Sequence, residues 1–173
     1  MRPRFEEDAL TMIRRFISVV EGMSRACGIL SALLLTFAMI IVCQMIFMRY
    51  IFRAATVWQT EAVVFSATAA IFLGAPYVLL RKGHVGVDVI QMLLAPRASR
   101  RMEFVGAVLG LMFCLVMMVA TGVHLFEAIE GGWTTPSVAA VPLWMPLTPM
   151  FLGFLLLCLQ YAAELFKLSG APS

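Results

Sequence analysis

Charged side chains are scarce in this sequence. Of its 173 residues, 13 are Lys or Arg and 10 are Asp or Glu, while 62% are hydrophobic. Soluble domains carry about 25% charge, so the 13% found here excludes one, and a mean hydropathy of +0.94 marks an integral membrane protein. Cys27, Cys43, Cys114 and Cys158 form no CxxC pair and fall in or at the edge of predicted helices, which leaves them as reduced packing residues. No nucleophile and base pairing, phosphate loop or nucleotide fingerprint occurs, so no enzymatic chemistry, catalytic residue or cofactor is expected. The 13 methionines are scattered through apolar runs rather than clustered, which argues for core filling and against a copper path. The net charge of +3 matters less than where the charges sit, and it is no footprint for nucleic acid.

What is abundant is uninterrupted apolar sequence. Ala26 to Met48, Ala62 to Leu80 and Phe104 to Phe126 contain no Asp, Glu, Lys or Arg. At about 1.5 Å per residue, each is long enough to cross a hydrocarbon layer about 30 Å thick. Gly131 to Ala163 is also charge-free but too long for one span, and Pro136, Pro142, Pro146 and Pro149 crowd its first half. Proline is tolerated in a first helical turn, so the last span is placed from Pro142 to Pro146 onward and residues 127–141 are expected to be a loop. The expectation is an all-α, integral membrane four-helix bundle forming one domain over 1–173, with spans at about 26–48, 58–80, 103–126 and 143–164.

Orientation follows from the basic residues. Arg2, Arg4, Arg14, Arg15 and Arg25 precede the first span, and Arg81, Lys82, Arg97, Arg100 and Arg101 follow the second. The first loop has only Arg49 and Arg53, and the third has neither Lys nor Arg. The positive-inside rule then puts both termini in the cytoplasm. The first apolar run begins late and is too long for an ordinary signal peptide.

Two further segments read as amphipathic helices lying in the interface. Ala9, Met12, Ile13, Phe16, Ile17 and Val20 form one helical stripe within residues 5–24, and a shorter apolar piece covers 85–95. On the second span Ala62, Ser66, Ala70 and Gly74 recur every fourth residue, a small-residue face on which another helix backbone can lie, from this chain or from a partner. Pro76 should bend that span, and Gly106 with Gly110 gives the third a GxxxG.

A transporter that binds its own substrate keeps ionisable groups near mid-membrane. None is present, which argues against a stand-alone small exporter or channel. Glu61 lies at the outer rim behind Trp58, where an ion pair with Arg49 or Arg53 is the simple expectation. His84 and His124 belong to opposite membrane faces, so they cannot clamp one haem iron between them as in a membrane electron carrier. His84 with Asp88 offers two metal ligands and no third nearby, so no metal site is expected.

The ordered set R-Y-I-F at 49–52, Trp58 with Glu61, F-L-G-A at 72–75, R-K-G-H-V at 81–85 with Asp88, and V-P-L-W-M-P at 141–146 resembles the small permease subunit of tripartite ATP-independent periplasmic (TRAP) transporters, the DctQ-like family. The resemblance implies a helper role. A soluble periplasmic protein captures an organic acid and delivers it to a large permease subunit, which carries the substrate and sodium sites. The small subunit steadies that scaffold in the bilayer. The positions carried over are Trp58, Glu61, Gly74, Gly83, His84 and Asp88, with Pro142, Trp144 and Pro146 opening the last span, and none is catalytic. Many family members have a second acidic residue beside the one matching Glu61, whereas here its neighbours are Thr60 and Ala62. The implied partners are the large permease subunit, the periplasmic substrate-binding protein and membrane lipids.

Overall fold

The computed structural model describes residues 4–81, 96–137 and 139–170. The described residues form four helices: α1 (Arg4–Ile51), α2 (Trp58–Leu80), α3 (Pro96–Glu130) and α4 (Trp144–Gly170). All four are long and apolar enough to cross a membrane. The described residues contain no strand beyond a single bridge between Thr134 and Pro142 in the outer loop.

Residues 5–24 are not a separate helix. They continue into the first span as one helix of 48 residues, about 72 Å at about 1.5 Å per residue. No proline falls between Arg4 and Ile51, and neither Gly22 nor Gly28 is enough to stop a helix whose neighbours are strong formers. The expected stripe is divided accordingly. Val20 is buried and Ile13 and Ile17 are half-buried, while Met12 is exposed. The expected helix over 85–95 lies outside the described residues.

The chain turns back at Arg53, whose φ of 47° is left-handed, with the Phe52 N–H and Ala54 N–H both donating to the Met48 carbonyl. Pro76 lies inside α2 and Pro149 inside α4. Gly132, at φ 59°, begins the tight turn after α3.

Packing is lateral rather than closed. α1 lies on α2, α2 on α4, and α4 on α3, and the first part of α1 also reaches the last part of α4. In α1 the inward positions Val20, Ser24, Cys27, Ser31, Leu34, Ala38, Ile41, Met45 and Met48 alternate spacings of four and three. Ala107, Gly110, Cys114, Met117 and Thr121 do the same in α3. That is the 3.5-residue repeat of a narrow helix–helix seam, and its small residues let the backbones approach. The opposite faces are wide and apolar: Ile29, Leu33, Phe37 and Ile40 on α1, and Leu109, Phe113, Val116 and Val123 on α3, are exposed.

Glycines mark where the helices touch most closely. A Cβ on Gly28 would stand 2.5 Å from the Tyr77 ring, and one on Gly110 would stand 2.6 Å from Tyr161. Gly153 is the most restrictive, because a Cβ there would meet the Phe72 carbonyl oxygen at 2.5 Å. Residue 76 is proline, so that carbonyl receives no N–H from the next turn and is free to bulge toward α4. Gly106 has nothing within 4 Å. Among the described residues, only the second glycine of the GxxxG therefore makes a close contact.

Candidate functional site

Trp58, Trp133 and Trp144 are the chain's three tryptophans, and all stand at the end of the layer where α2 begins. Each is substantially exposed, as interfacial aromatics are. Within this rim Glu61, in the first turn of α2, reaches across to the loop after α3. Ser137 Oγ and Thr135 Oγ1 both donate to Glu61 Oε1, the latter at 3.4 Å, and the two hydroxyls are 2.9 Å apart. Thr135 Oγ1 also accepts the Val141 N–H at 3.1 Å, so the carboxylate organises the loop's hydroxyls and through them its backbone. Thr135 N–H to Val141 O and Leu143 N–H to Trp133 O, each 2.9 Å, close that loop over the α2 end.

The expected ion pair of Glu61 with Arg49 or Arg53 is replaced by these hydroxyls. Arg49 Nε instead donates to Thr56 Oγ1 at 2.6 Å, a partner seven residues away in the turn that α1 and α2 share. Among the described residues, Glu61 Oε2 and Gln59 Oε1 are buried at this rim without a hydrogen bond.

The small-residue face of α2 is occupied from within the chain. Ser31 Oγ donates to the Ala70 carbonyl at 2.6 Å and would sit 2.6 Å from a Cβ at position 74. Ser66 and Ala70 are buried, and Ala62 and Gly74 half-buried. Pro142 takes part in the loop bridge, Trp144 is the first residue of α4, and Pro146 falls in its first turn. Gly83, His84 and Asp88 lie outside the described residues.

Nothing in this arrangement resembles a reaction centre. His124 is exposed, 3.9 Å from the Glu127 carboxylate and edge-on to Trp133 at 5.7 Å. Among the described residues no three His, Cys, Asp or Glu side chains cluster to hold a metal ion. All four cysteines are free, with Cys114 and Cys158 buried.

Sequence reasoning passed over two polar ties at the opposite end. Ser24 Oγ donates to Gln160 Oε1 at 2.9 Å between α1 and α4, and both residues are fully buried. Farther along, Lys167 Nζ bridges Glu21 at 2.7 Å and Glu164 at 3.2 Å, beside the Phe16–Phe166 edge contact, and Arg100 donates to the Leu168 carbonyl at 2.7 Å. A lone glutamine among apolar residues was the available signal for the first. Pairing in the second requires knowing that α1 runs past the bilayer to meet α4.

The helix seams and the loop gathered on Glu61 are contact features, and comparison with known proteins supplies relatives of the chain. A curated C4-dicarboxylate TRAP transporter small permease protein, DctQ, from Vibrio cholerae is 26% identical over 116 residues, which is 67% of this chain and 47% of that relative. The match therefore spans about half of the relative's length. No solved structure matches the chain. Residues 38–170 match the model of the DctQ component of tripartite ATP-independent periplasmic transporters, and the chain belongs to that family.

Proposed function

We propose that this chain is a non-catalytic scaffold that steadies the large permease subunit of a sodium-driven, binding-protein-dependent importer of an organic acid. Membership in the TRAP small permease family gives the coarser statement, a transporter component that is a multi-pass protein of the bacterial inner membrane. The observation that carries the finer reading is the open layer itself. α1 and α3 bury only a narrow seam and turn broad apolar faces outward, while no Asp, Glu, Lys or Arg interrupts the four apolar runs that line the layer. A self-sufficient carrier needs an intramembrane site for its solute, whereas a scaffold needs apolar area for lipid and a partner helix. Because Ser31 covers Ala70 and Gly74, the large subunit docks on an outward face of α1 or α3.

Both described ends of the chain lie on one side, with Arg14, Arg15, Arg25, Arg81, Arg100, Arg101 and Lys167, while Arg49 and Arg53 lie on the other. We assign the basic side to the cytoplasm. A reporter fused after Ser173 should then be active only as a cytoplasmic enzyme.

The test of the function is reconstitution. Liposomes holding this chain alone should show no uptake, and those holding it with the large permease and the periplasmic protein should take up the organic acid with a sodium gradient. Uptake by the chain alone, or full uptake by the large permease without it, would refute the scaffold reading.

A further inference from the structure

Between α1 and α2, at the basic end of the layer, is an open groove of about 760 Å³ lined by Arg25, Gly28, Ile29, Tyr77, Leu80 and Arg81. Its size is that of a ligand pocket, and its lining is divided by chemistry. Arg25 and Arg81 stand at the mouth where the apolar runs of α1 and α2 end, and Ile29 with Ala32 continues toward mid-membrane as exposed apolar surface. We propose that this groove binds one anionic phospholipid, its phosphate between Arg25 and Arg81 and an acyl chain along Ile29 and Ala32.

Charge and geometry favour that occupant. Glu21 lies 3.8 Å from Arg25 but 2.7 Å from Lys167, so its charge is engaged chiefly on the α4 side. The Arg81 guanidinium lies 5.8 Å from the centroid of the Tyr77 ring, and its backbone N–H donates to the Tyr77 carbonyl at 3.0 Å. The cation is thereby held against the groove wall. α2 ends at Leu80, where helix carbonyls carry partial negative charge. One arginine offsets that end, and the second leaves net attraction for a phosphate. Gly28 shapes the wall, since a Cβ there would strike the Tyr77 ring at 2.5 Å. The site sits where a bilayer places its phosphates, just beyond the hydrocarbon. A helix of the partner subunit would have to bring a carboxylate to this height to compete.

The test is native mass spectrometry of the full chain titrated with phosphatidylglycerol or with phosphatidylcholine of the same acyl chains. One phosphatidylglycerol should bind in preference to phosphatidylcholine. Arg25→Gln and Arg81→Gln should each weaken it about fivefold and together about 25-fold. Arg14→Gln with Arg15→Gln, which removes the same charge from exposed positions of α1 outside the groove, should leave binding within about twofold. Ala32→Phe fills the apolar part without touching charge and should also weaken the lipid, and excess glycerol 3-phosphate should not displace it. Equal losses in the two arginine pairs would overturn the proposal in favour of diffuse charge attraction, and displacement by glycerol 3-phosphate would reduce the groove to a free-phosphate site. Binding of phosphatidylglycerol that vanishes when the large permease is co-purified would make the groove a protein interface instead. Circular dichroism and size-exclusion profiles matching the parent keep each variant interpretable.

Discussion

The contact between Gly153 and the Phe72 carbonyl yields the sharpest prediction. Substituting Gly153→Ala places a methyl 2.5 Å from the Phe72 oxygen, 2.7 Å from its carbonyl carbon and 2.8 Å from its Cβ. Comfortable contacts between heavy atoms lie at about 3.5 Å, so α2 and α4 must separate by roughly 1 Å along their shared seam. All but one of these contacts are with backbone, and a rotamer change cannot absorb them. Overpacking of this kind costs about 1–3 kcal/mol. Against it stands a helix-propensity gain of about 1 kcal/mol for Gly→Ala, leaving a net loss of about 0–2 kcal/mol against the parent and of about 1–3 kcal/mol against a variant with the propensity gain alone. Gly106→Ala is the matched control. It carries the same propensity gain with nothing within 4 Å, so it should be neutral or stabilising.

The assay is reversible unfolding in mixed micelles, comparing both variants with the parent. A second substitution tests the cause. Pro76→Ala restores an N–H for the Phe72 carbonyl to accept and should draw that oxygen back into α2, relieving part of the Gly153→Ala loss. The coupling should exceed about 0.5 kcal/mol, the threshold for residues in contact. If Gly153→Ala were as stable as Gly106→Ala, the close approach of α4 to a proline-freed carbonyl would be refuted. If it were destabilised but indifferent to Pro76→Ala, the clash would stand and its attribution to proline would fall.

Three further outcomes follow from the polar ties. Ser24→Val leaves the buried Gln160 without its partner and should cost about 1–3 kcal/mol, whereas Gln160→Leu with Ser24→Ala should cost less than about 1 kcal/mol, because matched apolar replacement strands nothing. Equal costs in the same unfolding assay would show that the pair is not a buried tie. Lys167→Met leaves Glu21 and Glu164 facing each other and should lower stability by no more than about 1 kcal/mol, since the cluster is partly exposed, with a loss that shrinks in high salt. A salt-independent loss would assign the effect to packing of the lysine stem. Glu61→Gln retains an acceptor for Ser137 and Thr135 and should leave hydrogen exchange in residues 131–143 close to the parent, while Glu61→Ala should accelerate it severalfold. Indifference to both would disconnect the carboxylate from the loop.

The spans were legible because the constraint on them is one-dimensional: an apolar run either reaches across the bilayer or does not. Pro142 to Pro146 located the start of α4 for the same local reason, since α4 begins at Trp144. The extent of α1 was not legible. An amphipathic stripe over residues 9–20 looks alike whether its apolar side meets lipid or another helix, and it is α4, through Phe166 on Phe16 and Lys167 on Glu21, that decides it meets a helix. Glu61 failed as an ion pair for a related reason. Sequence offers Arg49 and Arg53 as the nearest cations, but the short turn hands Arg49 to Thr56, and Thr135 and Ser137 come from 74 and 76 residues away. Gly83, His84 and Asp88 lie outside the described residues and rest on the resemblance alone.

The two ends of the layer are built for different tasks. At the tryptophan rim one carboxylate gathers hydroxyls from a loop, an arrangement that shapes a surface without an ion pair at that carboxylate. At the basic end α1 and α4 extend beyond their apolar runs and are joined by Ser24–Gln160, Phe16–Phe166 and Glu21–Lys167. Between the ends the seams depend on small residues and one freed carbonyl, contacts that tolerate little separation before they are lost. A layer fastened this way is tied at its basic end yet leaves the outer faces of α1 and α3 exposed, as the proposed scaffold role would require. If those faces carry the large subunit, a bulky polar residue at Val116 or Ile40 should abolish co-purification while leaving the chain's own unfolding transition within about 0.5 kcal/mol of the parent, since both side chains point away from the internal seams.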